Sequence, residues 1–307
     1  MKFIKNTLDK MRPSFEKGGK LHAFHSLFDA IDTLMFVPAT TTTKGCHVRD
    51  AVDNKRTMIT VFIALLPALL FGMYNVGYQP YLAAGLQMDF WPMFLFGFLA
   101  VLPRIIVSYV VGLTIEFVVA QWKHEEIQEG FLVSGFIIPL IIPATCPLWI
   151  LAIAVAFSVI FAKEIFGGTG MNFLNVALIA RAFIFFAYPS VISGDAVWVV
   201  DHAICGLGAN LPDGFTAATA LGQTATSAAA APFDMNMIWG LIPGSVGETS
   251  VIAIALGAAL LLYTGIASWK TMLSVFVGGI VTVLLFNQFG PDTAVANMPW
   301  YEHIVLG

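Results

Sequence analysis

Long apolar runs alternate with short polar interruptions along this chain, and the runs are too continuous for the one-sided patterning of helices at a water-facing surface. Residues 57–74 form the first; at helical rise they cross roughly 27 Å, close to the thickness of a bilayer core. A second run, 94–122, is longer than a perpendicular crossing needs and contains Pro103-Arg104, which predicts a tilt or kink there. Runs 131–146 and 148–166 predict a pair of helices, the first broken by Pro139 and Pro143. Broken helices at membrane depth often mark a site, because protein or a cavity must satisfy the freed backbone groups. Further runs at 173–188, 249–263 and 273–289 complete the pattern. The expectation is an all-α polytopic membrane protein with about seven transmembrane helices.

Composition agrees. Of 307 residues, 58% are hydrophobic and only 11% charged, with a mean hydropathy of +0.82, far outside the range of soluble domains. The formal net charge of −4 and the lack of a nucleic-acid-type basic block exclude nucleic acid as a partner. Residues 1–20 are polar and basic, without the apolar core or small-residue cleavage site of a secretory signal. Cys46, Cys146 and Cys205 have neither metal-ligand spacing nor histidine partners, and are expected as small apolar fillers.

The distribution of charge predicts orientation. Ten of the fifteen Lys and Arg residues lie in the leader, 1–56, which the positive-inside rule keeps in the cytoplasm. Within it, apolar residues at helical spacing over 21–36 predict a helix lying on the membrane or docked on a neighbouring subunit. Five crossings from an inside start put 189–248 outside, and that segment carries Asp195, Asp201, Asp213, Asp234 and Glu248 but no Lys or Arg. Ser268-Trp269-Lys270 reads as an inner-face anchor, and Ser245-x-x-Glu248 as a capping box opening the sixth span.

Charges inside the apolar runs each need a reason, since an ionisable group at the bilayer centre costs about 2.5–3.5 kcal/mol on insertion scales. Glu116 reads either as an oxygen ligand on a path for a hard cation, with Thr114 beside it, or as a carboxylate reaching water or another subunit. Arg181 reads either as a partner of an anionic ligand oxygen or as half of a structural pair. Lys163-Glu164 is expected to snorkel to the inner face. Gly167-Gly168-Thr169-Gly170 lacks the Gly-Lys-Ser/Thr of a nucleotide-binding loop, so ATP binding is not supported.

The polar stretch Asp213-Gly214-Phe215-Thr216-Ala217-Ala218-Thr219-Ala220-Leu221 combines a turn, two hydroxyls, small neighbours and a carboxylate. Asp-x-x-Thr-x-Ala-Thr resembles the flavinylation motif found in the B and D subunits of two related redox-driven ion pumps. Other blocks resemble the B subunits of Na⁺-translocating NADH:quinone reductases and keep their order: Gly167-Gly168-Thr169-Gly170, Asn172-Phe173-Leu174-Asn175, Arg181-Ala182-Phe183, Ile242-Pro243-Gly244-Ser245-Val246-Gly247-Glu248 and Asn297-Met298-Pro299-Trp300.

The resemblance implies covalent FMN on Thr219, with Asp213, Thr216, Arg181 and Glu248 as candidate cofactor contacts and Glu116 on the ion path. It further implies noncovalent riboflavin, ubiquinone as electron acceptor and Na⁺ as the pumped ion. The implied setting is a six-subunit complex in the bacterial inner membrane, matured by a flavin transferase acting at the periplasmic face. The D subunit of the ferredoxin:NAD⁺ ion-motive complex is the nearest alternative, although Ala220 stands where it usually has proline. A flavin-free transporter is the alternative of another class.

The family usually has Arg at Met171, Pro at Val176, and Gly at Ala180 and Ala217; a glycine pair before the membrane glutamate is here Gly112-Leu113. Without proline at 176, the break before the fifth span loses its obvious cause. Family members continue through three more membrane helices, so the chain is expected to be a fragment, with 57–188 a first five-helix repeat and 249–307 the start of a second.

Overall fold

The computed structural model describes residues 2–15, 25, 28, 32–33, 35–36, 42–48, 52–86, 89–123, 130–194, 197–209, 211, 217–226, 233–291, 293 and 295–306. Its regular elements are all helical. A leader helix α1 (Lys2–Phe15) precedes two long ones, α2 (Asn54–Ala83) and α3 (Phe90–Lys123). Then come α4 (Phe131–Ile141) and α5 (Leu148–Ser158), the latter prolonged by a wide π turn (Val159–Lys163) and a 3₁₀ turn (Glu164–Phe166). They are followed by α6 (Val176–Ala187), α7 (Pro189–Ile192), α8 (Ala220–Thr226), α9 (Met235–Trp239), α10 (Val251–Tyr263), α11 (Trp269–Phe289) and α12 (Trp300–Leu306). Among the described residues four stretches are long and apolar enough to cross a membrane: α2, α3, Leu148–Phe166 and α11. The other three expected spans are short apolar helices, α4, α6 and α10.

The α2–α3 hairpin is the spine. Two glycines let its backbones touch: a Cβ at Gly77 would lie 1.8 Å from the Met93 carbonyl oxygen, and one at Gly97 would lie 1.7 Å from that of Met73. Close approach through small residues is how membrane helices gain packing energy where lipid supplies no hydrophobic drive between them. Helix α3 runs on as one helix through Pro103 and meets α4 antiparallel, with Ser108 Oγ donating to the Gly135 carbonyl (2.8 Å) and Tyr109 to that of Leu132. Phe131, Ile138, Leu151, Val155, Val159, Ala180 and Ile184 close one core among α4, α5 and α6. Met73, Phe96, Val101, Phe136 and Val246 form a second beneath the 197–248 segment.

Helix α2 continues nine residues past its expected end. Asn75 and Gln79 look like the boundary of the apolar run, yet they are only 3% and 5% exposed. Asn75 Nδ2 donates to the Ile242 carbonyl (2.9 Å), and Gln79 Nε2 to Asn75 Oδ1 (3.0 Å), so both amides are satisfied inside the fold.

Helix α6 starts at Val176 without the proline. Asn175 Oδ1 accepts from the amides of Ala177 (2.9 Å) and Leu178 (3.2 Å), an N-cap that enforces the break. The expected capping box fails in a related way. Helix α10 begins at Val251 and is capped by Ser250, so Glu248 lies too far upstream to serve its amides. The cysteine expectation holds only for Cys146, since Cys46 and Cys205 are exposed. The expected helix over 21–36 falls largely outside the described residues. Within the leader, Arg12 pairs with Asp32 and the Phe15 and Phe28 rings stack 4.7 Å apart.

Candidate functional site

The chain brings its polar groups together at opposite ends of the bundle. At one end, the segment after α7 is tied down by main-chain acceptors and donors: Thr145 Oγ donates to the Val197 carbonyl (2.6 Å), and the Gly208 amide to Tyr81 Oη (2.7 Å). These anchors sit at the C-terminal end of α2 and the α4–α5 turn. Thr219 immediately precedes α8 and is half-buried; its Oγ accepts from the Gly222 amide at 3.1 Å, a capping bond for the first turn. Ala217 is buried, while Ala218 and Ala220 are half-buried, so the chain neighbours of Thr219 are small. Asp213 and Thr216 lie outside the described residues.

Arg181 and Glu248 are brought together across 67 positions of chain: Arg181 Nη1 lies 3.2 Å from each Glu248 carboxylate oxygen. Ser245 Oγ donates to Glu248 Oε2, so the carboxylate has two kinds of donor. Both charged side chains remain partly exposed, at 35% and 50%. Among the described residues no hydrogen bond or ion pair joins them to Thr219. Glu248 is also the one charged wall residue of an apolar cavity of about 340 Å³ between α2, α4, α10 and α11, lined by Ala68, Leu140, Gly257 and Met272 among others. Its lining suits an apolar chain rather than a polar ring.

At the other end, α3 and the extension of α5 finish on charge. Lys123, the last residue of α3, donates to the Glu164 carbonyl (3.1 Å) and lies 3.5 Å from Glu164 Oε2. Deeper in, Glu116 of α3 receives a hydrogen bond from Lys163 Nζ, with both side chains only 3% exposed. Lys163 therefore does not snorkel to the inner face. Its ammonium turns inward because a buried carboxylate on the facing helix offers a stronger partner than distant water. Thr114 is not beside Glu116: its hydroxyl donates to the Val110 carbonyl on the exposed side of α3, two residues and more than half a turn away.

Sequence reasoning missed this pair. The available signal was two opposite charges, each stranded in an apolar run. Lys163 ends the π turn, and Gly167, Gly168 and Gly170 follow with φ of +106°, +94° and +92°, reversing the chain towards α6.

Known proteins share this sequence over almost its whole length. Residues 41–307 match the NQR2, RnfD, RnfE family. The B subunit of the Na(+)-translocating NADH-quinone reductase of Chromohalobacter salexigens is 44% identical over 330 aligned residues, covering 99% of this chain and 78% of that protein. The corresponding proteins of Pseudoalteromonas atlantica and Haemophilus influenzae, which carry the same name, are each 40% identical, with 99% of this chain and 80% of theirs covered. An all-helical membrane bundle, the ordered sequence blocks and these identities agree: the chain belongs to the NQR2, RnfD, RnfE family, among relatives named for the Na(+)-translocating enzyme.

Proposed function

We propose that this chain is the membrane subunit of a Na⁺-pumping NADH:ubiquinone oxidoreductase in which Thr219 carries FMN through a phosphoester. Riboflavin is bound noncovalently, ubiquinone accepts the electrons, and their transfer is coupled to Na⁺ export. The observation that carries this reading is the run Asp213-x-x-Thr216-x-Ala218-Thr219 in a chain whose relatives are named as components of such a pump.

The surroundings of Thr219 suit the modification. Its chain neighbours Ala218 and Ala220 are small, and Oγ, once esterified, still offers a lone pair to the Gly222 amide. The flavin, when bound, supplies reversible electron transfer. Arg181 uses Nη1 for Glu248 and keeps further N–H donors for an anionic ring oxygen. Glu116 is the oxygen ligand proposed for Na⁺, a hard cation. The remaining subunits, the periplasmic flavin transferase, and an inner-membrane topology with the leader inside and 189–248 outside belong to the same reading.

The test is in-gel ultraviolet fluorescence of the denatured chain after coexpression with the flavin transferase. Wild type and Thr216→Ala fluoresce, and Thr219→Ala is dark. A dark wild type, or a fluorescent Thr219→Ala, defeats the assignment.

A further inference from the structure

The proposed Na⁺ ligand already holds a cation. Lys163 and Glu116 come from different helices, α5's π extension and α3, and they meet where both are almost fully withdrawn from solvent. A surface pair could open and close freely in water, but a buried one exchanges partners only for another charge. Beside it Glu164 faces Lys123, so each of these two carboxylates already has an ammonium partner. A cation entering at Glu116 Oε1 meets the ammonium seated there. Lys163 is the ammonium bonded to Glu116, whereas Lys123 is engaged by both the carboxylate and the carbonyl of Glu164.

We propose that Lys163 is a tethered counter-cation occupying the Glu116 seat, so that Na⁺ gains this carboxylate only by displacing the ammonium, and that Lys163 thereby sets the apparent Na⁺ affinity. The inference rests on the reading of Glu116 as a Na⁺ ligand. A lysine suits the task because its ammonium is a compact monovalent point charge on a flexible stem, able to give up one oxygen without moving a helix. A planar guanidinium, which can bind both carboxylate oxygens at once, would hold the seat more firmly.

The experiment measures the Na⁺ concentration for half-maximal quinone reduction in the assembled complex, for wild type, Glu116→Gln, Lys163→Met and Lys163→Arg. Lys163→Met is expected to lower it by about tenfold or more, the competitor being gone. Lys163→Arg is expected to raise it, and so is Glu116→Gln. If Glu116→Gln raises it while neither lysine variant moves it, the pair is a structural staple and this inference is overturned, with Glu116 still a ligand. If Glu116→Gln leaves the Na⁺ dependence untouched, the ligand reading itself fails and carries the inference down. Should Lys163→Met not assemble, Lys163→Arg decides alone: a raised requirement supports the tethered cation, and an unchanged one overturns it.

Discussion

Helices α3 and α11 are both apolar and long enough to cross a bilayer, yet they are held in opposite ways. Helix α3 touches α2 through bare glycine, donates two side-chain hydroxyls to α4, and buries Phe96, Ala100, Val101, Ser108 and Glu116. Helix α11 has no buried residue along its whole length. Both are stable as helices, because a helix satisfies its own backbone whatever surrounds it. Of the two, only α3 buries side chains against the described remainder of this chain. Hydropathy detects the first property and is blind to the second.

Breaking that contrast should be easiest at glycine. Gly77→Leu forces α2 and α3 apart, since even its Cβ would sit on the Met93 carbonyl, and loss of the folded bundle is expected in a detergent thermal-aggregation assay of the purified chain. A Cβ at Gly278 in α11 meets nothing within 4 Å, so Gly278→Leu should leave the same transition unmoved. A bundle indifferent to the first substitution, or one lost with the second, would undo the distinction.

Charge gives the next largest effect. Lys163→Met strands Glu116 in the interior, which typically costs about 3–5 kcal/mol, whereas the double variant with Glu116→Gln should recover most of that loss. Recovery is scored by the same thermal transition, and a double variant no better than the single one counts against a direct pair. Below this, Asn175→Ala removes the cap that opens α6 and should cost about 1 kcal/mol, read as a lowered midpoint. Arg181→Gln should cost least, about 0.2–1 kcal/mol, because its pair with Glu248 is half in solvent and screened. A shift as large as that of Lys163→Met would mean the two pairs do not differ as their exposure implies.

The fold is legible in the sequence where one physical signal suffices. Seven apolar runs correspond to seven apolar helices, and the ordered sequence blocks lead to the family. Ends are legible only where polarity and geometry coincide. At Asn75 and Gln79 they part, because two amides can satisfy each other and a distant carbonyl without leaving the interior. At Ser245 and Glu248 the spacing of a capping box is present but the helix starts later, and the carboxylate goes to Arg181 instead. Lys163 escapes local pattern for the same reason: a lysine near a helix end has two outlets, and the choice depends on a residue 47 positions away. In the candidate site, Thr219 is legible from its motif, while the partners of Glu116 and Arg181 are not, since pairings across such distances are set by packing.

The π turn at Val159–Lys163 has a consequence for insertions and deletions. The wide turn holds about one residue more than the α-helical turn it replaces, so deleting one of residues 159–162 would let the helix rewind with all that follows on nearly its present heading, whereas the same deletion in the regular helix before it would rotate all that follows by about 100°. In the second case Lys163 would swing off Glu116, and the glycine reversal would start from the wrong heading. Where a residue is lost is thus a constraint separate from the identity of any side chain, one that a survey of substitutions alone would never expose.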